Sequence, residues 1–507
     1  MKKIIYNTLT IFAGLTLLAS CNLEKYPDTA INTNDAMESP ADCYNFLTGL
    51  YASTKSMYSG FYTYSTDLMT DCYHAIKNFG NWNGEFYHYD IVASNSSVEA
   101  VWDNFYAYIG NANFLISGIQ KLLESGTLSS ADEATVQEYY GESCFLRALM
   151  YFKLTEYFCE AYDKSTAENT FGVPVVTEYA PTAISSTYPH RGSLAETYAQ
   201  IDKDLAEAEK YVTTAGSANS KFVNKDIVTA LSARFALSAQ DYATAYEKAN
   251  SLIAGKKYAL VTDAEAYANG WINDNLTETL WQPVIVDASD GGSANSYFIH
   301  NSSGEEGDDD PQYLPEDWVL NLYDTENDIR YNAYFEKRTI NYRGNNGDLV
   351  ILIKFPGNPK LNTSSASRYV NMPKIFRISE MYLIAAEAAY NKGDASAASD
   401  VLNELKSARI TGWKKTSYTG DALQKEIRDE RVRELFGEGF RLSDIKRWHI
   451  GFSRTAGQDP SMLQPGEKYV SLSLPADSPK FVWPIPTSEM NANPQMEGEQ
   501  NKAYTTE

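Results

Sequence analysis

The sequence predicts a mainly α-helical protein in which helix pairs support longer irregular loops. Apolar side chains recur at spacings of three and four residues along most of the chain, which is the pattern of a helix with one buried face. Two segments repeat one arrangement of small residues, as stacked helix pairs do. Signals for strands are few and short. Together these observations favour an α-rich fold with only a few short strands.

The apolar periodicity predicts helices at nine places along the chain. The first follows Ser39, whose hydroxyl suits the N-cap position. The second places Trp102, Phe105 and Ile109 on one face. The predicted ranges are 40–51, 102–123, 135–157, 193–212, 225–239, 242–254, 378–392, 395–409 and 421–436.

Two of these helix pairs resemble each other in sequence. In each, alanines spaced three residues apart precede a short polar turn, Asp241-Tyr242 in one and Gly393-Asp394 in the other. Further small and apolar residues follow at helical spacing. The pattern predicts helices that cross closely, as in tetratricopeptide units, which need stacked neighbours to bury their faces. A generic alanine-rich hairpin is the alternative.

Strands are predicted at 279–287 and in a hairpin over 338–355, turning at Gly344-Asn345-Asn346-Gly347. Three long stretches, 58–90, 287–318 and 452–501, show neither helical nor strand periodicity. Loops of this length inside a compact protein are usually functional or disordered.

The charge of the chain excludes one class of partner. Its 66 acidic and 43 basic side chains give a net charge of −23, and phosphate backbones require clustered Lys and Arg. Nucleic acid is therefore not expected as a partner. Hydrophobic residues make up 43% of the 507 positions, which is incompatible with global disorder.

The N-terminus has the features of an export signal. Residues 1–20 contain two lysines, an apolar run too short to span a bilayer, and small residues before Cys21. Leu18-Ala19-Ser20-Cys21 resembles the bacterial lipobox, in which the cysteine is acylated and becomes the mature N-terminus. Ordinary signal-peptidase cleavage nearby is the alternative. We expect a soluble body tethered to a membrane through Cys21.

The four other cysteines, Cys43, Cys72, Cys144 and Cys159, are predicted to be free buried thiols. Cys144 and Cys159 lie on one predicted helix, where fifteen residues separate them by roughly 22 Å, too far for a disulfide. No Cys/His spacing indicates zinc, so no metal site is predicted.

The loop over 58–90 is the first candidate for ligand binding, since it holds ten aromatic residues. Most are expected to pack in the core. Trp82 differs because Phe79-Gly80-Asn81-Trp82-Asn83-Gly84 is a turn-forming run that normally stays at the surface. It is either a lid over the core or a binding platform. Aromatic faces beside Asn and Asp suit the C–H faces and hydroxyls of a carbohydrate.

The loop over 287–318 is the second candidate, with Tyr297 and Trp318 flanking an acidic run at 304–310. Carboxylates could hold Ca²⁺, but the spacing of an EF-hand is absent, and a solvated acidic loop is favoured. Trp271, Asp67 and Tyr73 complete the predicted ligand contacts, on loop position and composition alone.

No catalytic residue and no cofactor are predicted. Glu434 and Glu438 lie one helical turn apart, as a general acid and base do, but arginines surround them in sequence. Arginines keep carboxylates ionised, which opposes the role of a general acid. A structural ion-pair network is expected there, and no hydrolase, nucleotide-binding or metalloprotease motif occurs.

Motifs along nearly the whole mature chain resemble the SusD/RagB family of outer-membrane nutrient-binding lipoproteins. The most distinctive is Trp483-Pro484-Ile485-Pro486. Two features depart from the family pattern: Cys144 stands where a small residue is usual, and only Glu24 follows the lipid cysteine where several acids often signal surface export. The other matching motifs are Cys21 with Leu23, Gly49-Leu50-Tyr51, Trp102 with Ile109 and Asn113, Gly141 to Ala148 with Tyr151-Phe152, Gly172-Val173-Pro174, Ala230 to Leu237, Asp328-Ile329-Arg330, Arg377 to Ile384 with Glu387-Ala388, Glu430-Arg431, Glu438 to Arg441, Arg447-Trp448, Asn493-Pro494 and Gln500-Asn501.

The resemblance implies about four tetratricopeptide-like helix pairs supporting an irregular ligand-binding half, with an N-terminal region at 21–215 and a C-terminal region at 216–507. It also implies a non-catalytic lipoprotein on the exterior of the outer membrane. There it would act as a hinged lid that passes oligosaccharide to a SusC-like TonB-dependent transporter. An oligopeptide ligand is the alternative within the family. A glycoside hydrolase and a protein-interaction scaffold are the alternatives from other classes.

Overall fold

The computed structural model describes residues 36–286, 290, 298, 310–342, 344–363, 369–455 and 457–505. Residues 1–20, Cys21, Tyr297 and most of the acidic run at 304–310 lie outside the described residues. Within the described ranges no helix combines the length and the apolar character needed to cross a membrane.

Helices dominate the fold. They are α1 Pro40–Ser56, α2 Phe61–Leu68, α3 Gly84–Tyr87, α4 Ser96–Glu124, α5 Ser130–Phe158, α6 Leu194–Tyr211, α7 Lys225–Ser238, α8 Tyr242–Ala254, α9 Ala264–Ile272, α10 Asp317–Leu320, α11 Tyr331–Tyr334, α12 Ile378–Asn391, α13 Ala395–Arg409, α14 Gly420–Leu435, α15 Arg441–Arg447, α16 Glu467–Val470 and α17 Thr487–Ala492. Short 3₁₀ turns lie at Ala167–Asn169, Ser185–Thr187, Pro479–Phe481, Pro494–Met496 and Lys502–Tyr504.

The described strands form four small two-stranded antiparallel sheets. These pair β1 with β3, β2 with β6, β4 with β5, and β7 with β8. The strands are β1 Tyr73–Ala75, β2 Thr279–Trp281, β3 Tyr313–Pro315, β4 Phe335–Tyr342, β5 Asn345–Leu352, β6 Phe376–Arg377, β7 Phe452–Ser453 and β8 Ser473–Leu474. The mainly α fold class with a few short strands is confirmed.

Side-chain caps explain where most long helices begin. An N-cap oxygen accepts hydrogen bonds from the first turn and satisfies donors that lack partners inside the helix. Ser193 forms a complete capping box with Glu196 at the start of α6. Six other helices begin with a side-chain N-cap that accepts a first-turn N–H: Ser39 for α1, Asn95 for α4, Ser129 for α5, Asn224 for α7, Asp241 for α8 and Asp394 for α13.

The helices stack in an array of pairs. Short turns join α4 to α5, α7 to α8, and α12 to α13, and the members of each pair pack together. The array is completed by α6 against α5, α12 against α8, and α14 against α12. The two segments with repeated alanines are α7–α8 and α12–α13, and these alanines are buried where the helices meet.

Two large apolar clusters fill the interior. The first lies among the stacked helices and includes residues from Met37 to Met496. The second includes residues from Tyr64 to Leu463 and packs beneath β1, β3, β4 and β5. Both clusters draw residues from either side of position 215. Phe61 packs against both, so the helix array and the irregular half share one continuous interior.

Several predictions about the irregular stretches were wrong. The 58–90 stretch contains α2, β1 and α3, and the 287–318 stretch contains β3 and α10. These elements are only three to eight residues long, too short to establish a period. The predicted strand at 279–287 is limited to Thr279–Trp281. In the hairpin Tyr342 pairs with Asn345, so the chain reverses between these two residues, whereas the predicted turn extended from Gly344 to Gly347.

The cysteines agree with their prediction. Cys43, Cys72, Cys144 and Cys159 are all free and buried. Cys144 lies within α5 and Cys159 caps its C-terminus. Among the described residues no cluster of His, Cys, Asp or Glu has the arrangement needed to hold a metal ion.

Candidate ligand-binding surface

Trp82 is displayed on the protein surface, with 51% of its area exposed. It lies in the turn between β1 and α3. Four residues of this turn adopt left-handed backbone angles, with φ of 63° at Asn78, 80° at Gly80, 55° at Asn81 and 52° at Asn83. Asn and Gly adopt this region at least cost. The sequence therefore specifies the turn that holds the indole outward.

Three hydrogen bonds fix this turn to the body. The Tyr313 hydroxyl donates to the backbone carbonyl of Trp82 at 2.6 Å. The backbone N–H of Lys77 donates to the Met462 carbonyl at 2.7 Å, and the N–H of Asn78 donates to the Gln464 side-chain oxygen at 3.0 Å. Trp82 is thus carried by a turn anchored to β3 and to the chain before α16.

An aromatic layer lies beneath the turn. The ring centroid of Phe79 is 5.5 Å from that of Tyr313 and 5.9 Å from that of Tyr469. Tyr87 stacks on Tyr469 at 5.9 Å. The guanidinium carbon of Arg454 lies 3.6 Å from the Tyr87 ring centroid. Packed aromatic rings and a cation over one of them make this a rigid base.

Polar side chains belong to the Trp82 turn or contact it, and they suit a ligand that carries hydroxyls. His88 Nε2 lies 3.1 Å from the Asn81 side-chain oxygen. Asp90 accepts a hydrogen bond from Lys468, which holds the pKa of Asp90 below its usual value. Burial lowers the pKa of His88. The turn thus combines an exposed indole with Asn81 and Asn83 next to it in sequence, and with His88 and Asp90 linked to it through Asn81. We call these five residues the Trp82 surface, and its composition suits a carbohydrate.

Trp318 lies at the opposite end of the β1–β3 pair from Trp82. It is half-buried, and its indole N–H donates to the Asp71 carbonyl at 2.6 Å. The guanidinium carbon of Arg441 lies 5.3 Å from the ring centroid and the same group pairs with Asp71 at 2.9 Å. The structure therefore does not bring Trp318 against Trp82.

Three of the predicted contact residues are internal. Trp271 is 1% exposed, and Lys354 Nζ and Lys374 Nζ lie 4.6 and 4.9 Å from its ring centroid. Tyr73 is fully buried and stacks on Phe436 at 5.0 Å. This placement does not support direct ligand contact, because neither side chain reaches the surface. Loop composition did not reveal which way these side chains point.

Asp67 is also internal, with 3% of its area exposed. Its carboxylate accepts a hydrogen bond from the Gly439 N–H at 3.0 Å. Burial raises the pKa of Asp67 to about 7. Tyr297 and Cys21 lie outside the described residues, so their predicted roles keep the status of predictions.

Sequence reasoning missed the contribution of the 452–501 stretch. Gln464, Lys468 and Tyr469 from this stretch support the Trp82 turn, although hundreds of residues separate them from it in the chain. The sequence around these three residues shows no helical or strand periodicity that would indicate their position. The only available signal was the length of the irregular stretch itself.

The predicted ion-pair network around Glu434 is confirmed. Glu434 is fully buried and pairs with Arg330, Arg377 and Arg409 at 3.0, 2.6 and 2.9 Å. Burial alone would raise the pKa of Glu434, but Arg409 and Arg377 outweigh burial and hold its pKa well below the usual value. This carboxylate remains charged and is unsuited to donate a proton.

Comparison with known proteins agrees with this architecture. Residues 321–504 match the model of the SusD family. Residues 22–237 match a family model described as starch-binding and associating with the outer membrane. A curated relative, SusD-like protein P38 of Formosa agariphila, is 24% identical over 88% of this chain and 92% of its own length.

Solved structures share the fold over almost the whole chain. A SusD superfamily protein from Bacteroides thetaiotaomicron has a TM-score of 0.76 and 27% identity, covering 91% of this chain and 99% of that one. A putative sugar-binding protein from Bacteroides vulgatus has a TM-score of 0.74 and 25% identity, covering 93% of this chain and 100% of that one. The two family models, the relative and these structures agree with one another. The chain belongs to the SusD/RagB family.

Proposed function

We propose that this protein is a non-catalytic glycan-binding lipoprotein of the outer membrane that captures oligosaccharide or polysaccharide at the Trp82 surface. The observation that carries the proposal is the half-exposed indole of Trp82, held by left-handed Asn and Gly residues above a rigid aromatic layer. Trp side chains are enriched at binding interfaces because they combine a large apolar face with a polar N–H, and the display of this indole on a rigid base supports a binding role.

The chemistry of the surface supports a carbohydrate. A pyranose ring has apolar C–H faces that pack on an aromatic ring and hydroxyls that need hydrogen-bond partners. Asn81 and Asn83 flank Trp82 in sequence, and His88 and Asp90 are linked to this turn through Asn81, so these four residues can supply such partners. The family description as starch-binding and the sugar-binding name of one structural neighbour point to the same ligand class.

A motif near the start of the chain and the family description support this location. The lipobox-like Leu18-Ala19-Ser20-Cys21 supplies a lipid anchor, and the family model that matches residues 22–237 is described as associating with the outer membrane. In this proposal the anchored protein faces the cell exterior. It passes the captured glycan to a SusC-like TonB-dependent transporter without chemical change.

The acidic groups agree with a binding role without chemistry. Glycoside hydrolysis uses two carboxyl groups flanking the bond, one of them protonated at neutral pH. At the Trp82 surface the carboxyl group of Asp90 has its pKa lowered by Lys468, so it stays ionised. Asp67, whose pKa is raised to about 7 by burial, lies inside the protein.

The experiment is native affinity electrophoresis of the mature protein, made soluble by replacing Cys21, through gels that contain one polysaccharide each. We expect retardation by at least one neutral polysaccharide and loss of that retardation in Trp82→Ala. The matched control is Tyr44→Ala, because Tyr44 on α1 is 43% exposed and lies away from the Trp82 turn. Thermal melting of both variants checks that the fold is intact.

Two results would overturn the proposal. One is the absence of retardation by every polysaccharide while the protein binds oligopeptides. The other is release of reducing sugar by the purified protein, since a binding protein leaves the glycan intact.

A further inference from the structure

A second surface feature, the α6–α8 groove, lies on the helix array and not in the half that carries Trp82. One wall is α6, and the other is formed by the end of α7 and the start of α8. Its volume is about 540 Å³. This volume lies within the range of small-molecule pockets, and the groove follows α6 from Ala195 to Glu209.

The wall formed by α6 is a single helical face made of small residues and acids. Ala195, Ala199, Asp202, Ala206 and Glu209 line the groove at spacings of three and four residues. Ala195 and Glu209 are fourteen positions apart, and a rise of 1.5 Å per position makes this wall roughly 21 Å long. Ala199 and Ala206 are exposed, whereas Tyr198 and Leu205, the bulky α6 residues of the groove, are buried.

The floor and the ends of the groove are well defined. Tyr198 and Phe235 form the buried floor, with ring centroids 5.1 Å apart. Tyr162 stacks on Tyr198 at 4.3 Å at one end. At the other end Glu209 accepts hydrogen bonds from Ser232 at 2.8 Å and from Lys248 at 2.7 Å, which ties α6 to α7 and α8.

The charge of the groove is strongly acidic. Four carboxylates line it, and among the described lining residues Lys248 is the only lysine or arginine. Lys248 is already paired with Glu209. Glu168 and Asp202 make no ion pair with any described residue of the chain. An occupant that carries positive charge would supply the partners that these two acids lack.

We propose that the α6–α8 groove docks a cationic amphipathic helical segment of another protein. Small residues along one helix allow a second helix to approach closely, and the length of the wall matches about four helical turns. Lysines or arginines on the flanks of the docked helix would face Asp202 and Glu168. A second copy of this chain is a poor occupant because its net charge is −23.

The test uses a fluorescent 18-residue helical peptide of Ala, Leu and Lys, with Leu on one face and Lys beside it, and a second peptide with Glu in place of Lys. Fluorescence anisotropy with the mature protein should show binding of the Lys peptide at least tenfold tighter than that of the Glu peptide. Binding of the Lys peptide should weaken as salt screens the charges.

Three variants test whether the Lys peptide binds in the α6–α8 groove. Asp202→Lys reverses a groove charge, and Ala206→Gln narrows the groove without changing charge. Each should weaken binding of the Lys peptide at least tenfold. Glu124→Lys, an exposed site on α4 with the same charge change, should alter it less than twofold. Circular dichroism checks that the helices of every variant remain folded.

Three results would overturn the inference. They are no binding of the Lys peptide, equal binding of the Lys and Glu peptides, and an equal effect of Asp202→Lys and Glu124→Lys. Concentration-dependent self-association that Ala206→Gln abolishes would instead assign the groove to a second copy of this chain.

Discussion

Replacing Glu434 by Gln tests the strongest electrostatic feature of the fold. The substitution keeps the size of the side chain and removes one buried negative charge. Glu434 contacts three arginines from three separate elements, with both oxygens engaged. It therefore joins α14 to α13 and to the chain before α11 and α12.

The magnitude follows from the charge balance of the cluster. Four buried acids and the half-buried Glu438 face five basic groups, and Arg433 also pairs with Glu426, which Lys406 balances, so the cluster is neutral as a whole. Glu434→Gln leaves one uncompensated positive charge in an interior with no access to water, and breaking a buried pair in this way typically costs about 3–5 kcal/mol. The cluster members are Glu278, Asp328, Glu430, Glu434, Glu438, Arg330, Arg377, Arg409, Arg433 and Lys354.

The assay is urea unfolding of both proteins at pH 7 and at lower pH. A matched control is Asp429→Asn on the same helix, whose partner Lys425 is exposed and whose loss should cost less than about 1 kcal/mol. The pKa of Glu434 is held below its usual value by Arg409 and Arg377 despite burial. The stability it contributes is therefore fully present above about pH 4.5 and is lost as the pH falls through its folded pKa. The difference in free energy of unfolding between wild type and Glu434→Gln should become smaller below pH 4.5. If Glu434→Gln lowers the free energy of unfolding by less than about 1 kcal/mol at pH 7, the reasoning is refuted.

Three further predictions concern groups elsewhere in the fold. Burial raises the pKa of Asp67 from 3.8 to about 7, so the wild-type protein loses stability as the pH rises through this window. Asp67→Asn keeps an acceptor for the Gly439 N–H, and its melting temperature relative to wild type should rise between pH 4 and 7 and level off above pH 7. Parallel pH profiles of the two melting temperatures would contradict this. A Cβ added at Gly84 would lie 2.0 Å from the Asn81 side-chain oxygen. Gly84→Ala should therefore displace the Asn81 side chain and weaken glycan retardation several-fold, with little change in melting temperature. Unchanged retardation would contradict the proposed binding surface. The buried cysteines should resist a thiol reagent in the native protein with Cys21 replaced and should all react after unfolding, whereas rapid reaction before unfolding would contradict their burial. These cysteines are Cys43, Cys72, Cys144 and Cys159.

The helix array could be predicted from the sequence because its determinants are local. In α8 and α13 the capping residues Asp241 and Asp394 and the buried alanines lie within the helix or next to it. The predicted ranges 242–254 and 395–409 coincide with the helices observed. Burial of one helix face places apolar residues at spacings of three and four, and this pattern can be recognised in a single sequence.

The proposed ligand-binding surface could be predicted only where the residue types themselves indicate an unusual backbone conformation. Trp82 lies in a run of Asn and Gly whose left-handed angles the residue types reveal in advance. Trp271 and Tyr73 carry no such signal, because their orientation depends on distant chain segments that cover them. The support from Gln464 and Tyr469 is equally non-local, and only the folded structure shows it.

Hydrogen–deuterium exchange of the mature protein, with and without a saturating polysaccharide fragment chosen from the electrophoresis panel, tests the central claim most directly. Glycan binding at the Trp82 surface predicts slower exchange in peptides that cover residues 77–90 and 464–470, with no change in α12 and α13. Protection confined to other parts of the chain, or no protection at saturating glycan, would contradict the account.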